Sequence, residues 1–529
     1  MKKFFLVALA AIAVSCGNVD NPVNSQNSEK FSFNFADQQQ TIHSFGASDC
    51  WRTQFIGLNW PIEKRNQIAD LLFSTETDAL GNPKGIGLSL WRFNIGAGSH
   101  EAPDFGGVAN QMRRAECFLD ADGNWDWNKQ EGQRWMLQAA RDRGVPYTLG
   151  FSNAAPYFMT KNGLAHSSEK NPDMNLRDDC YDDFAAFMAE VSKHLDFDYL
   201  SPINEPQWDW TGSSQEGMAA TNQDCSRLLF ALDEQLNKLG ARTKVVFGEA
   251  GDIRYLFRSG TDKPDRDNQL SEIFAPGGKY STYGLSSIAP ILTSHSYWST
   301  WPLDTLVQAR AGLKKAIEEK LPEGYTYWQT EYCPMEQNQD NPQGGNGRDL
   351  GMNTALYIAR LMHYDLTVAN ATSWQHWTAF SEGDYKDGLI FIDPVRAGRN
   401  TNRTEAIKQD GKFTTCKLLW ATGNYSFFVR PGMVRLAGSA DAKPVESAYD
   451  LMASAYVDKA GKELVVVLLN YSDEDKVAEL SFAGLPGGYH ARKFKLYETS
   501  ERCDLQYKGI VNNKFMVPAR SVLTLVGTK

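Results

Sequence analysis

The chain has 529 residues, 42% of them hydrophobic and 22% charged, a balance that suits a packed globular body and, at this length, more than one domain. A formal net charge of -10 argues against a nucleic-acid partner, because phosphate binding needs a basic face. The eight histidines include no His-Glu-x-x-His arrangement, the eight cysteines no Cys-x-x-Cys pair, and no glycine-rich phosphate loop joins a strand to a helix, so neither a metal nor a nucleotide cofactor is expected.

Met1, Lys2 and Lys3 form a basic tip ahead of an apolar run, Phe4 to Val14, that is too short to stay across a bilayer, the pattern of a secretory signal. Ala13-Val14-Ser15-Cys16 resembles a bacterial lipobox, so residues 1–15 are expected to be cut off and the Cys16 thiol lipidated, with plain secretion as the alternative. Residues 16–30, rich in Asn and Ser, read as a flexible tether. The expectation is an exported monomer, periplasmic, outer-membrane or cell-surface, that meets a membrane only through Cys16. The other cysteines are scattered and suit neither a zinc site nor a disulfide scaffold, although one isolated bridge is compatible with export.

Phe31-Ser-Phe-Asn-Phe35, within a segment taken as 31–41, alternates as a strand does. From 42 to 424 short apolar runs alternate with helical periodicity. The runs are Ile42 to Ala47, Leu88 to Ile95, Pro146 to Ser152, Tyr199 to Ile203, Lys244 to Gly248, Ile291 to Ser294, Tyr325 to Thr330 and Thr372 to Trp377. Between them Ile68, Leu71 and Leu72, then Phe184, Phe187, Met188 and Val191, then Leu306, Ala309, Leu313 and Ile317, then Ala355, Ile358, Ala359 and Met362 fall on single helix faces. Strands buried on both faces and separated by helices belong to a parallel sheet, and eight such units predict an α/β fold of the (β/α)8 TIM-barrel type, enlarged by long loops. After Gly432 the helical spacing stops. Leu464 to Leu469, Lys493 to Tyr497 and Ser521 to Val526 are separated by turn residues, which predicts an all-β sandwich over 425–529.

A barrel of this kind carries its chemistry where the strands end. The predicted exits hold Asp49, Arg92 with Asn94, Asn153, Asn204 with Glu205, Glu249, His295 with Tyr297, Glu331, and Gln375 with His376 and Trp377. Glu205 and Glu331 each close a buried strand. Pro206 has no N–H and should hold Glu205 extended. Glu249 reads equally well as a packing residue or a ligand contact. Trp208, Trp210, Trp298, Trp301, Trp374 and Trp377 follow strand ends too, with Trp374 and Trp377 the preferred pair because one strand supports both. Sugars present apolar C–H faces with polar rims, so aromatic rings beside aimed carboxylates suit a sugar substrate.

Ser44-Phe-Gly-Ala-Ser-Asp49, Leu90-Trp-Arg-Phe-Asn-Ile-Gly96, Ser152-Asn-Ala-Ala-Pro156, Met159-Thr-Lys-Asn-Gly163, Ser201-Pro-Ile-Asn-Glu-Pro206, Trp328-Gln-Thr-Glu331, Ala421-Thr-Gly-Asn-Tyr425 and Arg430-Pro-Gly432 occur in this order. Together they resemble family 30 of the glycoside hydrolases, a family of retaining barrel glycosidases, and Asn204-Glu-Pro-Gln-Trp208 is most similar to its endo-β-1,6-galactanase branch. The resemblance implies that Glu205 is the general acid/base and Glu331 the nucleophile, about 5 Å apart, in a double displacement on a β-linked polysaccharide. It also implies that Arg92 is the cation beside Glu331, that Asn204 binds the sugar's 2-hydroxyl, and that His295 and Tyr297 support the nucleophile. Asp49, Asn153, Trp208, Trp298, Trp374, His376 and Trp377 are the remaining substrate-binding candidates. In the family the N-terminal strand joins the sandwich. Glucuronoxylan, β-1,6-glucan and glucosylceramide remain alternative substrates, and a surface glycan-binding protein without turnover is the alternative from another class. The loops 259–283 and 381–402, the latter with Arg396 and Arg399, are where specificity is expected to lie.

Overall fold

The computed structural model describes residues 28–170, 173–212, 214–395, 402–442 and 444–528. Cys16, Arg396 and Arg399 lie outside the described residues. The first strand, β1 (Glu29–Thr41), is followed by eight that close a barrel: β2 (Ser44–Ser48), β3 (Leu90–Ile95), β4 (Tyr147–Ser152), β5 (Tyr199–Ser201), β6 (Lys244–Ala250), β7 (Ile288–His295), β8 (Thr326–Glu331) and β9 (Ser373–His376). All neighbours are parallel, and β9 closes on β2 with Ser44 opposite Ser373 and Phe45 opposite Trp374.

The eight expected strands are the observed ones, shifted by one to three residues at most ends. In β5 the strand stops at Ser201, because Pro202 has no N–H to continue the ladder. The helices form where the 3.6 spacing places them. Tyr181–His194 buries Phe184, Phe187, Met188 and Val191 against the barrel, and Leu303–Lys320 buries Leu306, Ala309 and Leu313. Asn222–Leu239 shows the local code in full. Thr221 and Asp224 form a reciprocal capping box at its start, and Gly240, at φ 61°, ends it in the left-handed region that glycine enters without penalty.

Inside the barrel Leu90, Leu149, Val246, Ala289 and Trp328 make an apolar plug, with the His43 ring stacked 4.0 Å from Tyr147 below it. One step along β3 from Leu90, on the same face, Arg92 lies with its guanidinium 3.7 Å above the Phe151 ring. The plug excludes water from beneath the barrel mouth, and so fixes the environment in which the groups above it ionise.

Residues 381–402 were expected to be a loop, yet Phe380–Ser381 (β10) and Ile390–Pro394 (β11) pair in parallel, and β11 pairs with Gly411–Thr415 (β12). Their partners are distant in sequence, so the short apolar run Leu389 to Ile392 gives no local sign of a sheet. Strands β13 (Val434–Gly438), β14 (Leu451–Asp458), β15 (Glu463–Asn470), β16 (Lys476–Ala483), β17 (Lys493–Ser500), β18 (Cys503–Asn512), β19 (Lys514–Val517) and β20 (Ser521–Gly527) join β1 in one nine-stranded sheet, order β18-β17-β20-β15-β14-β13-β1-β16-β19. The N-terminal strand thus pairs antiparallel with β13 and parallel with β16, as expected.

The sheet curls over so that Phe482 of β16 and Phe494 of β17 meet at 6.1 Å. Along β15, Leu464, Val466 and Leu468 fill the resulting interior while Val465, Val467 and Leu469 face the barrel domain, whose helix Met352–Thr367 packs on β15 and whose helix Lys417–Ser426 packs on β17, β18 and β20. Each such fully buried side chain contributes about 1.5–3 kcal/mol, so the two domains share one continuous packed seam. The described cysteines are all free and buried. No helix among the described residues is long and apolar enough to cross a membrane.

Candidate active site

Glu205 and Glu331 meet at the carboxyl ends of the strands, each about 5% exposed. Glu331 is the last residue of β8, and Glu205 follows β5 across the barrel mouth. A Glu205 oxygen, a Glu331 oxygen and a His295 ring nitrogen all lie within 4.8 Å of one another.

Glu205 is not extended as Pro206 would favour. Its φ is 44°, and it is held there because its N–H donates to the Glu249 carbonyl at 3.0 Å and its carbonyl accepts from Trp210 Nε1 at 3.1 Å. Glu249, at φ 39°, is left-handed as well. Non-glycine residues pay about 1–3 kcal/mol for such geometry, which persists only where the surroundings dictate it.

Arg92 donates Nη1 to Glu331 at 2.7 Å and Nη2 to Asn204 Oδ1 at 3.0 Å, with Glu249 at 3.4 Å. His295 donates Nδ1–H to Glu205 at 2.7 Å and Nε2–H to Glu249 at 2.8 Å, and the Tyr297 hydroxyl donates to Glu331 at 3.2 Å. One oxygen of Glu249 therefore takes bonds from Arg92, from His295 and, at 2.9 Å, from Thr330. Sequence reading left Glu249 undecided. The signal was present all the same: Phe247-Gly248-Glu249 ends a strand with a carboxylate just as Glu205 and Glu331 do.

These contacts divide the charges. Burial by itself would raise Glu249, but the Arg92 charge and the bonds from His295 and Thr330 outweigh it and hold the carboxyl at about 2. Burial would lower His295, yet the Glu331 charge and the bonds to Glu205 and Glu249 push it up to about 10. Burial raises the Glu205 carboxyl above the ordinary range, against the lowering hydrogen bond from His295 and with the Glu331 charge adding to the rise. Arg92 is thus paired with Glu249 and Glu331, while Glu205 is the carboxyl whose proton affinity burial raises. With both its nitrogens donating, the His295 ring has no lone pair to offer a metal ion.

The other candidates divide into two groups. Trp298 is 47% exposed and packs edge-to-face on Trp208 at 4.8 Å, a platform beside the Glu205 loop. Trp374 does not belong to the mouth: it is fully buried, and Nε1 donates to Asp365 in the surrounding helix layer at 2.9 Å. Side chains alternate along a strand, so the residue opposite Phe45 in β2 turns outward. Asp49 is buried behind the rim, where it accepts from the Asn94 N–H and Gln133, and burial lifts its carboxyl to about 7. Asn153 donates to Asn94 Oδ1 at 2.9 Å, His376 bonds the Asp387 carbonyl at 3.0 Å, and Trp377 is 8% exposed against Trp51. These residues brace the rim.

An eight-stranded parallel barrel with two facing carboxylates at its mouth, one of them paired with an arginine, has the arrangement that glycoside hydrolases use. Residues 28–391 match the O-Glycosyl hydrolase family 30, and the chain belongs to that family. It is 25% identical over 236 residues to an endo-β-1,6-galactanase of Hypocrea rufa, a match that covers 40% of this chain and about half (49%) of that relative. The crystal structure of a conserved exported protein from Bacteroides fragilis superposes with a TM-score of 0.87 at 39% identity, covering 94% of this chain and all (100%) of that one. The catalytic domain of a family 30 xylanase C from Talaromyces cellulolyticus shares the fold, with a TM-score of 0.64 at 19% identity over 95% of this chain and 100% of that chain.

Proposed function

We propose that the protein is a retaining endo-β-1,6-galactanase in which Glu331 attacks the anomeric carbon and Glu205 protonates the departing oxygen. The observation that carries the mechanism is the approach of the two carboxylates to within 4.8 Å. A direct attack needs about 5 Å, whereas a water placed between the groups needs about 6.5–9.5 Å. Arg92 and Tyr297 hold the attacking carboxylate, and the cationic ring of His295 turns Glu205 towards it. Asn204 is oriented through its oxygen by Arg92, which leaves its NH2 to donate to the 2-hydroxyl, a bond that strengthens as the ring becomes positive. In the second step Glu205, now deprotonated, takes a proton from water as that water releases the sugar from Glu331.

The galactan reading is supported by the name of the Hypocrea relative and by a shorter match, 27% identical over 114 residues, to an exo-β-1,6-galactobiohydrolase of Bifidobacterium longum, of which it covers 7%. The test follows products by NMR from defined β-1,6-galacto-, β-1,6-gluco- and glucuronoxylo-oligosaccharides. The expected result is cleavage of the galactan series with β product formed first, and a fall of about 10²–10⁴ in Glu205→Gln. First-formed α product would sink the retaining mechanism. Cleavage of another series alone would move the substrate, and binding without turnover of any would return the protein to the glycan-binding class. Export and anchoring through Cys16 form part of the same proposal, tested by fatty-acid labelling that Cys16→Ser abolishes.

A further inference from the structure

Where β9 closes on β2, on the side of Glu331 away from Trp208 and Trp298, charged groups gather that the mechanism above does not use. Arg52, 4% exposed, pairs with Glu382, but its Nη1 has no hydrogen-bond partner among the described residues. Arg113 donates Nη1 to Gln215 at 3.2 Å, its buried Nε is unpartnered, and it enters no ion pair among the described residues. The Trp51 ring lies beside both guanidiniums, 6.0 Å from that of Arg52 and 5.0 Å from that of Arg113, with its own Nε1 unpartnered and only 2% of the residue exposed.

Asp387, 4% exposed, borders the same corner, because its carbonyl bonds His376 at 3.0 Å while the adjoining Trp377 packs on Trp51 at 5.3 Å, and its Oδ1 has no partner among the described residues. It is close enough for its charge to favour the protonated forms of Arg52 and Arg113, yet it forms an ion pair with neither among the described residues. Its backbone is fixed, since the carbonyl accepts from His376 Nε2 at 3.0 Å and from the Thr378 N–H. The corner adjoins the chemistry. Asp387 and Arg113 both act electrostatically on Cys333, whose sulfur lies 3.8 Å from the Tyr297 hydroxyl that holds Glu331.

An unpartnered buried polar group costs about 1–3 kcal/mol, so three donors and one acceptor converging here call for a shared ligand. A carboxylate would satisfy the donors but be repelled by Asp387. A hydroxyl both accepts and donates, and a sugar ring carries several in fixed geometry. We propose that Arg113, Asp387 and Trp51, backed by Arg52 and His376, form a subsite that reads the hydroxyls of the neutral sugar ring attacked by Glu331, and so determine which sugar is accepted. The proposal rests on the two-carboxylate mechanism and is independent of the galactan assignment.

The test is a cycle that removes either the protein group or the substrate hydroxyl. The kcat/KM of wild type, Arg113→Met and Asp387→Asn is measured on an aryl β-1,6-galactobioside and on its forms lacking O2, O3 or O4 of the attacked ring. For wild type, deleting the hydroxyl that meets the corner costs at least about 100-fold, because a site built to bond a hydroxyl rejects its absence strongly. Each variant loses a comparable factor on the intact substrate and stays within about 3-fold of wild type on that deoxy substrate, which also shows that it is folded. Equal factors for wild type and variants at all three positions overturn the proposal, as does a uronate-bearing probe cleaved faster than the neutral one in wild type but not in Arg113→Met. If wild type turns over no galactosyl probe, the galactan assignment has failed, and the same cycle on the glucosyl and xylosyl probes decides the subsite.

Discussion

Replacing Glu249 by glutamine removes one buried charge with almost no change in shape. In the folded protein the Glu249 carboxyl is held at about 2, against an ordinary value of 4.5. At about 1.4 kcal/mol for each tenfold change in proton affinity, that depression corresponds to about 3 kcal/mol of stabilisation. The group is fully buried, so solvent screening does not reduce the figure. A depressed carboxyl contributes in full above the unfolded value and loses its contribution as pH falls through the folded one. Glu249→Gln is therefore expected to be about 3 kcal/mol less stable than wild type by urea denaturation at pH 7, and the gap is expected to narrow below pH 4.5 and close near pH 2. Activity falls with it, because a neutral amide oxygen, even in the place of the one that takes all three bonds, no longer offsets the charges of Arg92 and His295, which hold Glu331 and Glu205. A Glu249→Gln enzyme with wild-type stability at pH 7 and an unaltered pH-rate profile would refute this account of the charge network.

Other expectations follow from the same contacts. His295 is raised from 6.5 to about 10 on folding, so the stability it confers is complete below pH 6.5 and disappears as pH rises through 10. Wild type should lose stability over that window by urea denaturation, by up to about 5 kcal/mol, while His295→Asn stays flat. Tyr297→Phe removes the 3.2 Å bond to Glu331 and the 3.8 Å contact with Cys333 Sγ, and should lower kcat about tenfold, with a melting temperature close to that of wild type. Trp298→Ala, at an exposed position, is expected to raise KM for oligosaccharides with a stability change within about 0.5 kcal/mol, whereas Trp374→Ala should destabilise by about 3–5 kcal/mol through a buried cavity. The reverse ranking in calorimetry would mean that the two tryptophans have exchanged roles.

The alternation of short apolar runs with helical stripes already implied eight strands, because those preferences act over a few residues. Strand exits put Glu205, Glu331, Arg92, Asn204, His295 and Tyr297 among the candidates, and the family resemblance suggested their roles. What the sequence could not assign was the charge on each group. Glu249 looks like the other two glutamates along the chain, and only its position beside both Arg92 and His295 holds its carboxyl well below the ordinary range. Trp374 and Trp377 likewise look equivalent, yet the pleat turns Trp374 into the helix layer. Local sequence thus determined the elements and their order. The tertiary structure decided ionisation and access, since both depend on distances across the barrel between residues far apart in the chain and on how much water those neighbours exclude.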